Sequence, residues 1–408
     1  MIKILKYLFF LILFTPVFAQ ETYTLQKLVG IALENSPLIQ AKYLEWKSFD
    51  GAIQQAGAWQ NPSISSDLGY KTLGSSTGYG YSIGISQPFY FPNKQRIRGE
   101  IQETFKADTK VDLEEIKKFV SRKVIFLSFA YNEAAEHAAH LEEKRERLKI
   151  IHQYLGSRPF VSAQKKIEKT IVENKIFLVE KEILKIKNEK KKVWEELNLY
   201  LGLEAPVEIQ VKWFSRGIEL SLKHLRNELR QNSQLMAQDN SLNRKNLQKK
   251  LAGLEKFPDF SLSAIYSEEK TVQTERFIGG GITFNLPLWN RNQGAVSQYE
   301  AEISSIELNK SFLEKKITSE LNTLFIDYEN RRSLIKKYPV SLIEEIHKQI
   351  AFVDEEFRKG RIEILTYLEF EQSSSDMHNV IFESQLGYVE SYLNLLAITG
   401  SQDFQEEK

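Results

Sequence analysis

Cysteine is absent from the 408 residues. That excludes disulfides, thiolate metal sites, a cysteine nucleophile and the lipidated N-terminal cysteine of some bacterial envelope proteins. Charge of one sign is missing too: 55 basic residues stand against 54 acidic ones, so nothing at whole-chain level attracts nucleic acid or an anionic membrane. Glycine (20) and proline (10) cluster in a few places and leave very long stretches unbroken, which indicates an elongated architecture. Beyond Gln20 no run approaches the ~18 consecutive apolar residues of a membrane-spanning helix. Walker loop, nucleophile elbow and dinucleotide fingerprint are all absent, so an enzyme or a cofactor is not expected.

What is present begins with Met1 to Ala19. Lys3 and Lys6 precede the apolar run Tyr7 to Phe14, then Pro16 and Ala19 follow, the layout of a secretory signal peptide cleaved near Ala19. Export without a helical anchor leaves the periplasm, the medium or the outer membrane. Any attachment to a membrane then has to come from the fold.

The remainder is duplicated. Ala58-Trp-Gln-Asn-Pro-Ser-Ile-Ser65 is matched 196 residues later by Leu254-Glu-Lys-Phe-Pro-Asp-Phe-Ser261. Gly84-Ile-Ser-Gln-Pro88, running on to Asn93-Lys94, is matched 197 residues later by Gly281-Ile-Thr-Phe-Asn-Leu-Pro287, running on to Asn290-Arg291. The Gly156 break has its counterpart at Gly360. The expected organisation is a signal peptide (1–19), a first repeat (20–203), a linker (204–216), a second repeat (217–400) and a tail (401–408).

Periodicity changes in the same order within each repeat. Residues 25–58 are helical in pattern, with Asn35-Ser36-Pro37 as a break whose proline opens a second helix. The period then drops to two. Ile64, Leu68 and Tyr70, then Tyr79, Tyr81, Ile83 and Ile85, alternate with small polar residues and glycines, which predicts a strand hairpin over about 62–88. Phe260, Leu262, Ala264 and Tyr266, then Ile278, Ile282 and Phe284, predict its copy over about 258–287. Helical spacing then returns for about 60 residues, breaks near 156–159 and 359–361, and resumes for about 40 more. Coiled-coil seams lie at Val120, Val124, Leu127 and Tyr131; Ile176, Val179, Ile183 and Ile186; Ile317, Leu321, Leu324 and Tyr328; and Phe382, Leu386, Val389, Leu393 and Leu396. The fold class is therefore mainly α with a small β part, built from two tandem copies of helix pair, β-hairpin and long helical hairpin. Helices of this length reach on the order of 90 Å, so the two breaks become hairpin tips.

An exported hairpin with one apolar and one polar face suits a barrel wall with lipid outside and water inside. Four strands cannot close an open barrel; three copies supply roughly twelve. Homo-oligomerisation follows.

These features resemble the TolC-type outer-membrane efflux factors across essentially the whole mature chain. The most specific pieces are Asn61-Pro62, Ser86-Gln-Pro88 running into Pro92-Asn-Lys-Gln-Arg-Ile-Arg98, Leu286-Pro-Leu-Trp-Asn-Arg-Asn-Gln-Gly294 and Phe357-Arg-Lys-Gly-Arg-Ile-Glu-Ile-Leu-Thr-Tyr-Leu-Glu369. The third piece looks most like the branch attached to cobalt, zinc and cadmium exporters. One departure is Asn93, where the family pattern has glycine. The resemblance implies an outer-membrane channel on a periplasmic helical tunnel, passing substrates, metal cations among them, from an inner-membrane pump of the RND type and a periplasmic adaptor. It also implies a gate near the tips. Carried over from the tip glycines, the gate positions fall on Glu369 and Thr366 in the second repeat and on Ser162 and Gln164 in the first, with Arg361 and Arg158 nearby. Adaptor docking falls on Gly156, Ser157, Arg158 and Pro159, and on Gly360, Arg361 and Ile362. Plain helix-breaking chemistry explains the same glycines and proline, and ordinary solvated charge explains Glu369 and the arginines. Tyr70, Tyr79 and Tyr81 are candidates for an interfacial aromatic belt, against the simpler view that aromatics suit any strand.

Two other constellations carry less. His137 and His140 stand three apart on a predicted helix, but no third ligand lies at motif spacing, and Glu133 and Glu136 read equally well as a solvated stripe. The lysines between Lys165 and Lys192 are interleaved with glutamates, as on a solvated coiled-coil face. The competing reading of the whole is a periplasmic coiled-coil adaptor or scaffold. Adaptors normally carry one helical hairpin, so the duplicated strand pair argues against it.

Overall fold

A computed structural model describes residues 22–157, 162–401 and 404–407. The signal-peptide segment lies outside them. The first repeat runs through β1 (Thr22–Thr24), α1 (Leu25–Asn35), α2 (Pro37–Ala56), β2 (Ser63–Leu73), β3 (Ser76–Phe89), α3 (Lys94–Gly156) and α4 (Ala163–Leu201). After β4 (Glu208–Gln210), the second runs through α5 (Leu222–Glu228), α6 (Ser233–Leu254), β5 (Phe260–Lys270), β6 (Thr274–Phe284), α7 (Gln293–Lys337), α8 (Ser341–Arg358) and α9 (Ile364–Thr399).

Local chemistry sets the boundaries. The Thr24 side chain caps α1 by accepting from the Lys27 backbone N–H at 3.3 Å, and Pro37 opens α2 after Ser36. Asn232 caps α6, its side-chain oxygen accepting from Gln234 and Leu235 at 3.0 and 3.3 Å. Asn93 precedes α3 with φ 72°, the left-handed region that glycine and asparagine tolerate best, so the departure from the family's glycine keeps the backbone shape. Its counterpart before α7 is Asn292, φ 61°, two residues beyond the textual match at Asn290.

The sheet order is β2-β3-β5-β6, antiparallel throughout. The two hairpins thus join into one four-stranded sheet through β3 and β5, with Ile83 opposite Tyr266. β1 pairs in parallel with β4, so the stretch expected to be a linker contributes a strand. Gln385 holds that stretch further, exchanging bonds with the Phe214 backbone at 3.1 and 2.6 Å. The tail is also engaged: Phe404 packs on Phe129, Phe214 and Tyr392.

α3 is unbroken over 63 residues, about 95 Å at the α-helical rise. In the second repeat the equivalent stretch is divided, α7 ending at Lys337 and α8 starting at Ser341. The expected continuous helix gives way at Pro339, which has no amide hydrogen to continue the ladder and disfavours a helical residue before it. All four seams are core. Val120, Val124 and Leu127 join α1 to α4, whereas Ile317, Leu321 and Tyr328 pack against Tyr388, Val389 and Tyr392 of α9. Val179 and Ile183 face Leu141 and Leu148, and Phe357, Ile364 and Tyr367 bring the α8–α9 hairpin onto the same cluster.

Candidate functional site: strand hairpins and helical tips

The register sorts the sheet into two faces. Ile64, Leu68 and Tyr70 align with Ile85, Tyr81 and Tyr79, then with Ala264, Glu268 and Lys270. Tyr266, Leu262 and Phe260 align with Ile278, Ile282 and Phe284. Most of this apolar face is exposed: Leu68 at 85%, Tyr70 at 93% and Ile278 at 83%. So much aromatic and branched surface in one patch is costly in water and suits hydrocarbon. The opposite face carries Ser65, Ser82, Gly84, Ser86, Ser263 and Gly281, interrupted by Ile265 and Phe277.

Tyr70 and Tyr79 form a cross-strand pair near the turn end, and Tyr81 sits 6.2 Å from Tyr266. At the helix end stands a second aromatic band that sequence reading missed: Trp59 on Phe89 at 5.6 Å, Phe89 on Phe260 at 5.3 Å and Phe91 on Phe257 at 4.6 Å. Its signal was the aromatic run Phe89-Tyr90-Phe91, which reads as loop until the register is known. Ten residues separate Phe89 from Tyr79 on β3, about 34 Å of strand, or about 26 Å along the normal at ordinary barrel tilt; the apolar band of outer-membrane barrels is about 25 Å tall.

Below the sheet, Lys94 fastens the two repeats. Its ammonium is 1% exposed and donates to Glu255, to the Phe257 carbonyl and to Asp259 at 3.0, 2.9 and 3.0 Å. Three acceptors with two carboxylates offset the cost of burying the charge.

At the tips, Gly156 ends α3, and the Ser157 hydroxyl donates to the Tyr154 carbonyl at 2.9 Å. Arg158 and Pro159 lie outside the described residues. Ser162 caps α4, accepting from the Lys165 N–H at 3.3 Å, and Gln164 donates to Glu168 at 3.2 Å. Gly360 takes φ 70°, allowing its N–H and that of Arg361 to reach the Phe357 and Glu356 carbonyls at 2.9 and 3.0 Å. The Arg361 side chain binds Glu356, not Glu369, at 3.0 and 3.2 Å. Lys359 and then Arg361 hold the Glu356 carboxyl below its ordinary range. Ile362 packs on the hairpin core. Ser162, Gln164, Thr366 and Glu369 are all exposed, the last two on one face of α9.

Two residues beyond Glu369 the helix turns a carboxylate the other way. Glu371 is 1% exposed and accepts from the Arg147 guanidinium at 2.7 Å, with the Tyr367 hydroxyl at 3.4 Å; that hydroxyl also donates to Asp354 at 2.5 Å. Burial opposes the Arg147 charge, but the Glu371 carboxylate outweighs it and raises the pKa. Sequence reading missed this network because its members come from α3, α8 and α9. His137 and His140 are buried; Glu133 and Glu136, expected as a solvated stripe, are half-buried, and Glu136 accepts from Trp213 and Asn132 at 3.2 and 2.6 Å. Burial pushes the Glu136 carboxyl up. Among the described residues, no group of three His, Asp or Glu converges in metal-ligand geometry.

No protein-family model matches the sequence, and neither does any curated protein. Solved structures do match. CusC, which forms a transmembrane channel, superposes with a TM-score of 0.72 at 14% identity, over 92% of each chain. The open state of the MtrE outer membrane channel of Neisseria gonorrhoeae gives 0.73 at 13% identity, over 93% of this chain and 89% of that one. The CmeC outer membrane channel of Campylobacter jejuni gives 0.68 at 15% identity, over 94% and 87%. The chain has the fold of the TolC-type outer-membrane channels, mainly helical with a four-stranded sheet, along nearly its whole length.

Proposed function

We propose that this chain is the outer-membrane channel subunit of a tripartite efflux system, acting as a homotrimer that gives pumped substrates a passive exit. The observation that carries the reading is the open four-stranded sheet, whose apolar face is exposed along its length and whose edges are unpaired. Edge strands call for partners and an apolar face calls for lipid; a shared barrel of about twelve strands answers both. Further apolar residues stand exposed on α4 (Phe177, Leu178, Leu184) and α7 (Leu308, Phe312, Ile326), as required of helices that meet neighbouring copies in a tunnel wall.

The tips then face an adaptor, through Gly156–Pro159 and Gly360–Ile362, with an RND-type pump behind it. Glu369 and Thr366 line the constriction with Ser162 and Gln164, giving three carboxylates per trimer. The Pro287-Leu-Trp-Asn-Arg-Asn-Gln-Gly294 resemblance favours metal cations as cargo. An adaptor or scaffold would leave the duplicated amphipathic sheet without a purpose.

Membrane fractionation tests the core of this reading. A trimer recovered from the outer membrane only in detergent, conducting in planar bilayers, is the expected result. A water-soluble periplasmic monomer ends it. The sensitivity of a deletion strain across metal salts and toxic organics identifies the cargo.

A further inference from the structure

Four of the six histidines gather at one level of the helical hairpins: His137 and His140 from α3, His347 from α8 and His378 from α9. The His140 and His378 rings stack at 4.1 Å, His347 lies 6.4 Å from His140, and His137 lies 6.4 Å from His378. His140 Nδ1, His378 Nδ1 and His137 Nε2 are buried without a hydrogen-bond partner. Counting back from Gly156 and Gly360 at the α-helical rise, the cluster sits about 20–29 Å from the tips.

We propose that the stacked imidazoles of His140 and His378 form a proton-operated latch: neutral, they pack α9 against α3; protonated, they repel one another and loosen the α8–α9 hairpin, opening the tunnel end. Opening rests on the channel reading above, whereas the latch is a property of the packing.

The surrounding charges set the sign. On α3, Lys144 donates to Ser375 Oγ at 2.8 Å, the hydroxyl that His140 Nε2 also contacts at 3.2 Å, and Arg147 lies one turn on. Lys175 and Glu182 of α4 act on Lys144, as do Glu371 and Asp376 of α9. Glu371 is already paired with Arg147, and Asp354 of α8 with Tyr367. Only His137 has a carboxylate of its own, Glu133 at 3.6 Å. A proton on His140 thus meets Lys144, Arg147 and the His378 ring in a buried place, and one on His378 meets neighbouring imidazoles.

Burial, then His378, Arg147 and Lys144, lower the His140 pKa to about 3; burial, then His137 and His347, lower that of His378 to about 4. A group whose folded pKa lies below its unfolded value stabilises the packed form fully above about 6.5, and this is lost as pH falls towards 4.

The test is amide hydrogen exchange of the full chain in detergent, at about pH 7.5 and about pH 5 with intrinsic rates corrected, alongside bilayer conductance. Protection in residues 370–382 is expected to fall at least about tenfold on acidification, while H140Q/H378Q removes most of that fall. Equal protection of the wild-type chain at both pH values overturns the latch, as does an undiminished response in the double variant. The wild-type comparison decides alone should that variant fail to fold. A loss of protection in a chain that conducts at no pH keeps the latch and sinks the channel reading instead. Conduction with pH-independent exchange does the reverse.

Discussion

Glu369 and Glu371 show how little one residue type says without its helix face. Two positions on an α-helix are about 200° apart, so one carboxylate meets solvent and the other is sealed against Arg147. Their substitutions separate accordingly. Glu369→Gln is expected to leave thermal stability unchanged and to reduce cation preference in single-channel recordings; unaltered selectivity removes it from the gate. Glu371→Ala leaves the part-buried Arg147 guanidinium with only the looser Glu143 contact at 3.7 Å, an effect of about 2 kcal/mol. Denaturant titration followed by helical circular dichroism reads it, and a midpoint within error of wild type shows that Arg147 finds water instead. Gly360 and Pro37 were legible at this scale, because each answers a local backbone demand.

At the scale of elements, the strands depend on where β3 lies against β5. A Cβ added at Gly78 would overlap the Lys270 carbonyl oxygen, which is backbone and cannot step aside as a side chain could. Gly78→Ala is therefore expected to pry apart the turn end of that pair, where Lys71 bridges to Glu269. Heat-modifiability on gels measures it: the variant's folded band should melt several degrees below wild type, and an identical transition means the strand end yields freely. The hairpins and their faces were legible from period-two alternation. The inner aromatic band was not, since Trp59, Phe89 and Phe260 come together only once β3 pairs with β5. The division of α7 from α8 at Pro339 had a local cause in plain sight, yet seam spacing continues across it.

For the whole molecule, what remains exposed matters most. Phe312 on α7 is 70% exposed in the single chain, so Phe312→Glu is expected to shift the species in detergent from trimer towards monomer without loss of helix content. Light scattering distinguishes the two, and a trimer of unchanged stability places Phe312 away from the contact. The open sheet belongs to this scale, because the unpaired edges of β2 and β6 call for further strands.

Duplication, the alternation of helix and strand and the seams were determined by the sequence itself, for each rests on periodicity or on short-range backbone preference. Tertiary structure alone decided which side chains meet. His140 and His378 are 238 residues apart in the chain and 4.1 Å apart as rings, and Lys94 finds Glu255 and Asp259 across the two repeats. Such pairings depend on the relative rotation and level of long helices, and no local pattern encodes those.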